Sequence, residues 1–408
     1  MSDFYQTGVI STLHRFPGRS LERMEADLKR FQRQQPVALL LPCLWSDFEG
    51  PAMARILGEL RTVKYLRQVL LILGRATEEQ FQKAREVLAG LGPHARILWN
   101  ESPRVSELYG VLERHNISAG PDGKGRSVWM GMGYVLSDER SYAVALHDCD
   151  ILTYSRDLLA RLCYPVASTS MSYEFAKGYY ARVTDRFHGR VSRLFMTPLI
   201  RTLQKVAGYI PFLVFLDSFR YPLAGECAIT TDLARIIRIP SDWGLEVGVL
   251  SEVFRNCAPR RICEVDLCET YEHKHQDLSP GNPEAGLNRM AVDIAKHLFR
   301  TLAGEGVPIS EGFFKSVKAA YLREAQEAIR KYDDDAAVNG LAFDRHAEAT
   351  AVDTFARSVE LAARAVLEDP LGTPLIPNWN RVISAVPDFL ERLRAAVDED
   401  NRVAGGGP

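Results

Sequence analysis

Apolar residues in this chain fall into two kinds of run. Val37-Ala38-Leu39-Leu40-Leu41 and Val69-Leu70-Leu71-Ile72-Leu73 are continuous, as expected of strands buried on both faces. Between them Met53, Ile56, Leu57 and Leu60 recur at helical spacing and predict a connecting helix. The alternation continues with a helix over 78–91 stopped by Gly92-Pro93, a short strand over 95–99, a helix over 126–135, and a strand over 142–146. Strands alternating with helices predict a parallel sheet with right-handed crossovers. Ahead of this unit, Leu21, Met24, Leu28 and Phe31 mark an amphipathic helix.

Beyond residue 150 the pattern becomes mixed. Strands are predicted over 171–181, 227–229 and 262–267, and helices over 190–206 and 245–254. After Pro283 only helical periodicity remains, over 288–302, 311–331, 347–368 and 379–397. The chain therefore divides into an N-terminal helical segment (1–35), an α/β unit with a mixed second half (36–280), a helical C-terminal extension (281–400) and a disordered tail (401–408).

Composition narrows the class. An apolar fraction of 46% over 408 residues is enough for a large core, and a net charge of -2 gives no basic surface for nucleic acid. The longest apolar runs are too short to span a bilayer, and the N-terminus lacks the pattern of a signal peptide. Seven cysteines without a C-x-x-C pair read as reduced core thiols. A cytoplasmic protein with no membrane and no nucleic-acid partner is expected.

Chemistry is concentrated where the strand over 142–146 runs into His147-Asp148-Cys149-Asp150. Carboxylates one residue apart, at the carboxyl end of a buried strand, share a side of the chain and suit a hard divalent cation on phosphate oxygens. Upstream, Gly123-Lys124-Gly125 opens a helix and suits a diphosphate, although it lacks the spacing of a Walker loop. Downstream, Tyr271-Glu272-His273-Lys274-His275 offers imidazoles for a mixed oxygen and nitrogen shell. The Gly225-Glu226 turn presents a carboxylate suited to sugar hydroxyls, and Trp243 an apolar face. Arginines at 186, 190 and 193 around Gly189 suit an anionic small molecule.

In this order, these segments resemble the retaining GT-A glycosyltransferases that make glucosyl-3-phosphoglycerate, and more loosely the mannosylglycerate synthases. The likeness also rests on Leu41-Pro42-Cys43-Leu44, Lys177-Gly178-Tyr179-Tyr180, Pro198-Leu199-Ile200 and Gly244-Leu245-Glu246-Val247-Gly248. The resemblance implies a GT-A Rossmann-like nucleotide-sugar domain, a Mg2+ or Mn2+ cofactor, a small anionic acceptor and a homodimer. It implies that Pro42, Cys43, Leu44 and Asp47 receive the base, with Gly123, Lys124 and Asp148 on the donor's phosphates. Asp150 and His273, with Asp148, resemble the metal ligands, and Glu226 the glutamate facing the donor sugar, so that Glu226, Asp150 and Lys124 form the catalytic set. Gly189, Arg190 and Ser192 resemble the loop that holds the acceptor, and Tyr271 and His275 stand where the family has an arginine and an asparagine.

The implied reaction moves glucose from UDP- or GDP-glucose to D-glycerate 3-phosphate. Alternatives are the same fold acting with GDP-mannose or on free glycerate, a nucleotidyltransferase, and a non-catalytic nucleotide-sugar-binding protein. A nucleotidyltransferase usually carries its glycine-rich loop directly after the first strand, whereas here that loop comes much later.

Overall fold

The computed structural model describes residues 6, 8–273, 278–279, 282 and 284–402; His275 and the tail from 403 onward lie outside them. Strands β1 (Ser11–Leu13), β2 (Val37–Leu44), β3 (Leu66–Gly74), β4 (Ala95–Trp99), β5 (Ala143–Leu146), β6 (Phe175–Tyr180), β7 (Cys227–Thr230) and β8 (Ile262–Cys268) form one sheet in the order β1-β8-β6-β7-β5-β2-β3-β4. Only β7 runs antiparallel, to β5 on one side and β6 on the other, which makes the second half of the sheet mixed as expected. The chain leaves β2 toward β3 and β4, then returns to set β5 on the opposite side of β2. This reversal opens a crevice at the carboxyl ends of β2 and β5, where open α/β sheets take their ligands.

Alternation along the strands sorts their side chains into two cores. Ala38, Leu40, Leu70, Ile72, Val144 and Leu146 face one layer, and Val37, Leu39, Leu41, Leu71, Leu73 and Ala145 the other. The second layer is closed by the helices Leu21–Phe31, Pro51–Leu60, Glu78–Leu88 and Arg156–Ala167. The first is closed by the helix Lys124–Leu136 and by the C-terminal helices. Trp129 stacks on Trp379 at 4.2 Å and donates its indole N–H to the Pro377 carbonyl, which ties the extension to the sheet.

Several elements differ from the expectation. The 1–35 segment is more than a helical lead-in, because β1 pairs in parallel with β8 as the sheet's edge strand. The helix expected over 379–397 is two, Trp379–Ala385 and Phe389–Asp400, since Pro387 cannot continue the first. Helices Pro103–Arg114 and Arg156–Ala167 add to the expected elements, and Ser102 before Pro103 is a helix-start signal for the first of them. Within the segment expected as a tail, the Asn401 side chain pairs with both backbone groups of Ile97 on β4. No helix among the described residues is long and apolar enough to cross a membrane.

Candidate active site

A cavity of about 920 Å3 opens at the carboxyl ends of β2, β3 and β5. Of the residues expected in the site, Pro42, Cys43, Leu44, Asp47, Gly123, Lys124, Asp148, Asp150, Gly189, Arg190, Ser192, Tyr271 and His273 all line it. The fold thus brings together segments more than a hundred residues apart in sequence.

The helix Lys124–Leu136 begins at the cavity wall, and its first residue reaches across to Asp148. Lys124 Nζ lies 2.6 Å from Asp148 Oδ1 and 3.1 Å from Glu246 Oε1. Burial works against the Lys124 ammonium, but Asp148 and Glu246 outweigh it and hold the lysine firmly protonated. In return, burial would raise the Asp148 carboxyl, and Lys124 overrides this and lowers it. Gly225 makes room for the pair, since a Cβ there would stand 2.3 Å from Asp148 Oδ2. The glycines flanking Lys124 have a reason other than ligand approach. A Cβ on Gly123 would meet the Ser241 carbonyl at 2.6 Å, and one on Gly125 the Pro240 carbonyl at 2.0 Å.

Asp150 and His273 meet through backbone pairing of the segments around 151 and 273. Ile151 bridges His273 in antiparallel fashion, Leu152 N–H donates to the Glu272 carbonyl, and Glu272 N–H donates to Thr153 Oγ1. His273 Nδ1 consequently lies 3.3 Å from Asp150 Oδ2. One carboxylate and one imidazole at that separation could supply two ligands of an octahedral shell suited to Mg2+ or Mn2+, leaving positions for phosphate oxygens and water. Asp148, expected as a third ligand, instead gives an oxygen to Lys124, and no cluster of three or more ligating side chains occurs among the described residues. Behind the motif, burial pushes the His147 imidazole down to about 3, and neither ring nitrogen has a hydrogen-bond partner among the described residues.

Glu226 requires a correction. It is fully buried and does not line the cavity. Tyr271 Oη donates to its Oε1 at 2.6 Å and Tyr180 Oη to its Oε2 at 2.7 Å, and the two phenol rings stack at 3.6 Å. Burial, then the nearby Asp148, raises the Glu226 carboxyl above its ordinary value. The tyrosines separate this carboxylate from the cavity, and the hydroxyl of Tyr271 is committed to it. The glutamate that lines the cavity is Glu246, in the first turn of the helix Leu245–Asn256. An acidic residue in a first helical turn is too ordinary to single out from sequence.

At the far end, Gly74 packs between Leu44 and Asn100. The Asn100 amide nitrogen donates to Ser127 Oγ at 2.7 Å, and its buried carbonyl oxygen has no partner among the described residues. Asn100 follows β4 directly and could have been flagged by the same strand-end logic that flagged Asp148. At the opposite end, the loop after β6 carries Gly189 and Arg190 into a wall completed by the C-terminal helices. Arg190 Nε binds Glu348 Oε1 at 2.7 Å, and Arg193 takes the other Glu348 oxygen at 2.9 Å. Glu348 stands in the helix Arg345–Glu368, so the extension helps to build the site.

A mostly parallel sheet with its ligand crevice at the β2/β5 reversal, one inserted antiparallel strand, and an Asp-x-Asp motif facing a lysine and a histidine define a GT-A glycosyltransferase. No family model matches the sequence. The chain is 50% identical over 401 residues to the glucosyl-3-phosphoglycerate synthase of Persephonella marina, covering 98% of this chain and 99% of that one. It is 40% identical over 404 residues to the enzyme of the same name from Methanococcoides burtonii, covering 98% of each. The chain belongs to the glucosyl-3-phosphoglycerate synthase family. A structure of the Mycobacterium tuberculosis synthase in complex with Mn2+, UDP and phosphoglyceric acid shares the fold, with a TM-score of 0.52 at 18% identity over 74% of this chain and 88% of that one.

Proposed function

We propose that this protein transfers glucose from a nucleoside-diphosphate glucose to the 2-hydroxyl of D-glycerate 3-phosphate, with retention at the anomeric carbon. The observation that carries the reading is one cavity in which the Asp150–His273 pair and the Lys124–Asp148–Glu246 network stand beside a wall of arginines. Relatives that bear the name glucosyl-3-phosphoglycerate synthase over nearly their whole length support the same product.

Asp150 and His273 would hold Mg2+ or Mn2+. When bound, the ion neutralises charge that develops on the departing diphosphate. Lys124, kept protonated by its two carboxylates, supplies a second positive charge to the same oxygens as the glycosidic bond lengthens. Asp148 holds that ammonium at the mouth of its helix and is not free to attack carbon. Glu246 faces the cavity with one oxygen on Lys124, and the other can accept a sugar hydroxyl, a contact that strengthens as the ring gains positive charge. Glu226 acts from beneath, fixing the stacked Tyr180 and Tyr271 that form the floor. Asp148 is held by Lys124 and Glu226 is buried between two tyrosine hydroxyls, which favours attack from the face the leaving group vacates, with the diphosphate oxygen taking the acceptor's proton.

Pro42, Cys43, Leu44 and Asp47 would receive the base and ribose, and the lobe around Gly189 and Ser192 the acceptor. The seven free thiols support a reducing, cytoplasmic setting. The homodimer implied by the family resemblance is tested by the particle mass in solution. The reaction itself is tested by turnover of UDP-, GDP- and ADP-glucose and GDP-mannose against 3-phosphoglycerate and free glycerate. Transfer of glucose to 3-phosphoglycerate is expected to dominate; preferential transfer of mannose, or to unphosphorylated glycerate, would replace this reading.

A further inference from the structure

Two thiols meet at the donor end of the cavity. In the parallel pair of β2 and β5, Leu40 stands opposite Leu146, and the ladder runs on through the His147 N–H to the Leu40 carbonyl at 3.2 Å. Three residues further along each strand come Cys43 and Cys149. In-register neighbours on parallel strands lie about 5 Å apart and point to the same side of the sheet. Both cysteines accordingly belong to the same core layer, and the Cys149 thiol shares a hydrogen bond with the Cys43 thiol. A backbone separation of that size lies within the span of a disulfide.

Position sets this pair apart from the other cysteines. Cys43 and Cys149 both line the cavity, whereas Cys163, Cys227, Cys257, Cys263 and Cys268 do not. Each stands in a segment with a task there. Cys43 lies within Pro42 to Leu44, which would receive the base, and Cys149 lies between Asp148 and Asp150. A small oxidant entering the cavity meets the two thiols side by side.

We propose that Cys43 and Cys149 are a site of reversible oxidation, and that the disulfide they form switches off donor binding. The second part rests on the nucleotide-sugar reading given above. The oxidant is a peroxide. Burial keeps the Cys149 thiol protonated, so Cys43 makes the first attack on a peroxide oxygen. The O–O bond breaks, the departing hydroxide takes the thiol proton as water, and Cys43 becomes a sulfenic acid. The Cys149 sulfur then attacks the Cys43 sulfur, the S–O bond breaks, and the Cys149 proton leaves with the hydroxide as a second water. An S–S bond of about 2 Å is shorter than any thiol–thiol hydrogen bond, so it draws the end of β2 and the Asp-x-Asp segment together. Asp150 moves with Cys149, and a metal site tolerates only about 0.2 Å of error in its ligand distances.

The test treats the full-length protein with hydrogen peroxide and maps its disulfides by peptide mass. Calorimetry then measures Kd for UDP, GDP or ADP with Mn2+, whichever the reduced protein binds, before oxidation, after it, and after dithiothreitol. A peptide pair joining Cys43 to Cys149 is expected, with the nucleotide bound roughly 10-fold or more weakly, and dithiothreitol should reverse both changes. Cys149→Ala should lose most of this response relative to its own untreated state. Cys268→Ala, which removes the most accessible of the seven thiols, should respond as wild type does. If Cys149→Ala does not fold, the peptide map and the reversal in wild type carry the test. Cross-linking elsewhere, unchanged nucleotide affinity in the oxidised protein, or a full response in Cys149→Ala overturns the proposal. Reduced wild type that binds none of the three nucleotides would instead overturn the nucleotide-sugar reading, while the peptide map still decides the thiol pair.

Discussion

The donor end and the acceptor end of the cavity are built by different means. At the donor end the critical groups hang from strand termini and the first turn of a helix: Asp148 and Asp150 after β5, Lys124 at the start of its helix, and Pro42 to Leu44 on β2. The two aspartates and Pro42 to Leu44 lie on or within a few residues of a paired strand, and Lys124 is held to them through Asp148. At the acceptor end, the loop after β6 carries Arg182, Gly189 and Arg190 and is braced by Glu348 from a helix far along the chain. The donor end therefore suits chemistry that tolerates little displacement, whereas the acceptor end can change partner preference through loop and helix without disturbing the sheet.

The largest effect is expected where the two metal-ligating candidates meet. Asp150→Ala or His273→Ala should lower turnover more than about 100-fold and abolish its restoration by Mn2+ after EDTA, while circular dichroism stays native. Full activity in His273→Ala would detach the 271–273 segment from the donor end.

Next come the two glutamates, which sharpen the comparison because only one faces the cavity. Glu246→Gln should lower kcat about 100-fold with little change in UDP affinity. Glu226→Gln, which turns an acceptor of two tyrosine hydrogen bonds into a group that accepts only one well, should chiefly cost stability, about 1–3 kcal/mol by chemical denaturation. Reversed results would restore Glu226 as the sugar-facing carboxylate and make Glu246 a mere partner of Lys124.

The donor end should also be the acid-sensitive end. His147 is held neutral with its pKa lowered by burial to about 3, against an ordinary 6.5. A depressed pKa in the folded state means that the unfolded chain binds the proton first. Stability is therefore complete above about pH 6.5 and falls as pH drops toward 3, by up to about 1.4 kcal/mol per pH unit. His147→Phe should flatten the fall of Tm between pH 6.5 and 4; an unchanged slope would move the acid sensitivity elsewhere.

The smallest effect concerns the brace at the other end. Arg190→Ala should cost only about 1 kcal/mol, because Arg190 is partly exposed and Arg193 still holds Glu348. A loss several times larger would mean that the lobe cannot stand without that pair.

Legibility from sequence follows the same division. Continuous apolar runs located β2, β3 and β5, and their polar ends located Asp148 and Asp150, because burial on both faces and ligand chemistry leave local marks. Lys124 and His273 were legible through their position before a helix and after a strand. Which glutamate faces the cavity was not, since Gly225-Glu226 and Leu245-Glu246 look equally plausible until the rings of Tyr180 and Tyr271 are seen stacked beside one of them. The Glu348 brace left no local signal, being 158 residues from Arg190.

The most direct test of the account is the proton NMR spectrum of the product formed from UDP-glucose and 3-phosphoglycerate with Mn2+. The account predicts a single glucosyl-3-phosphoglycerate whose anomeric proton shows the small coupling of an α-linkage, the configuration of the donor. A β-linked product would contradict front-face transfer in this cavity, and free glucose with unaltered 3-phosphoglycerate would contradict an acceptor site in the arginine lobe.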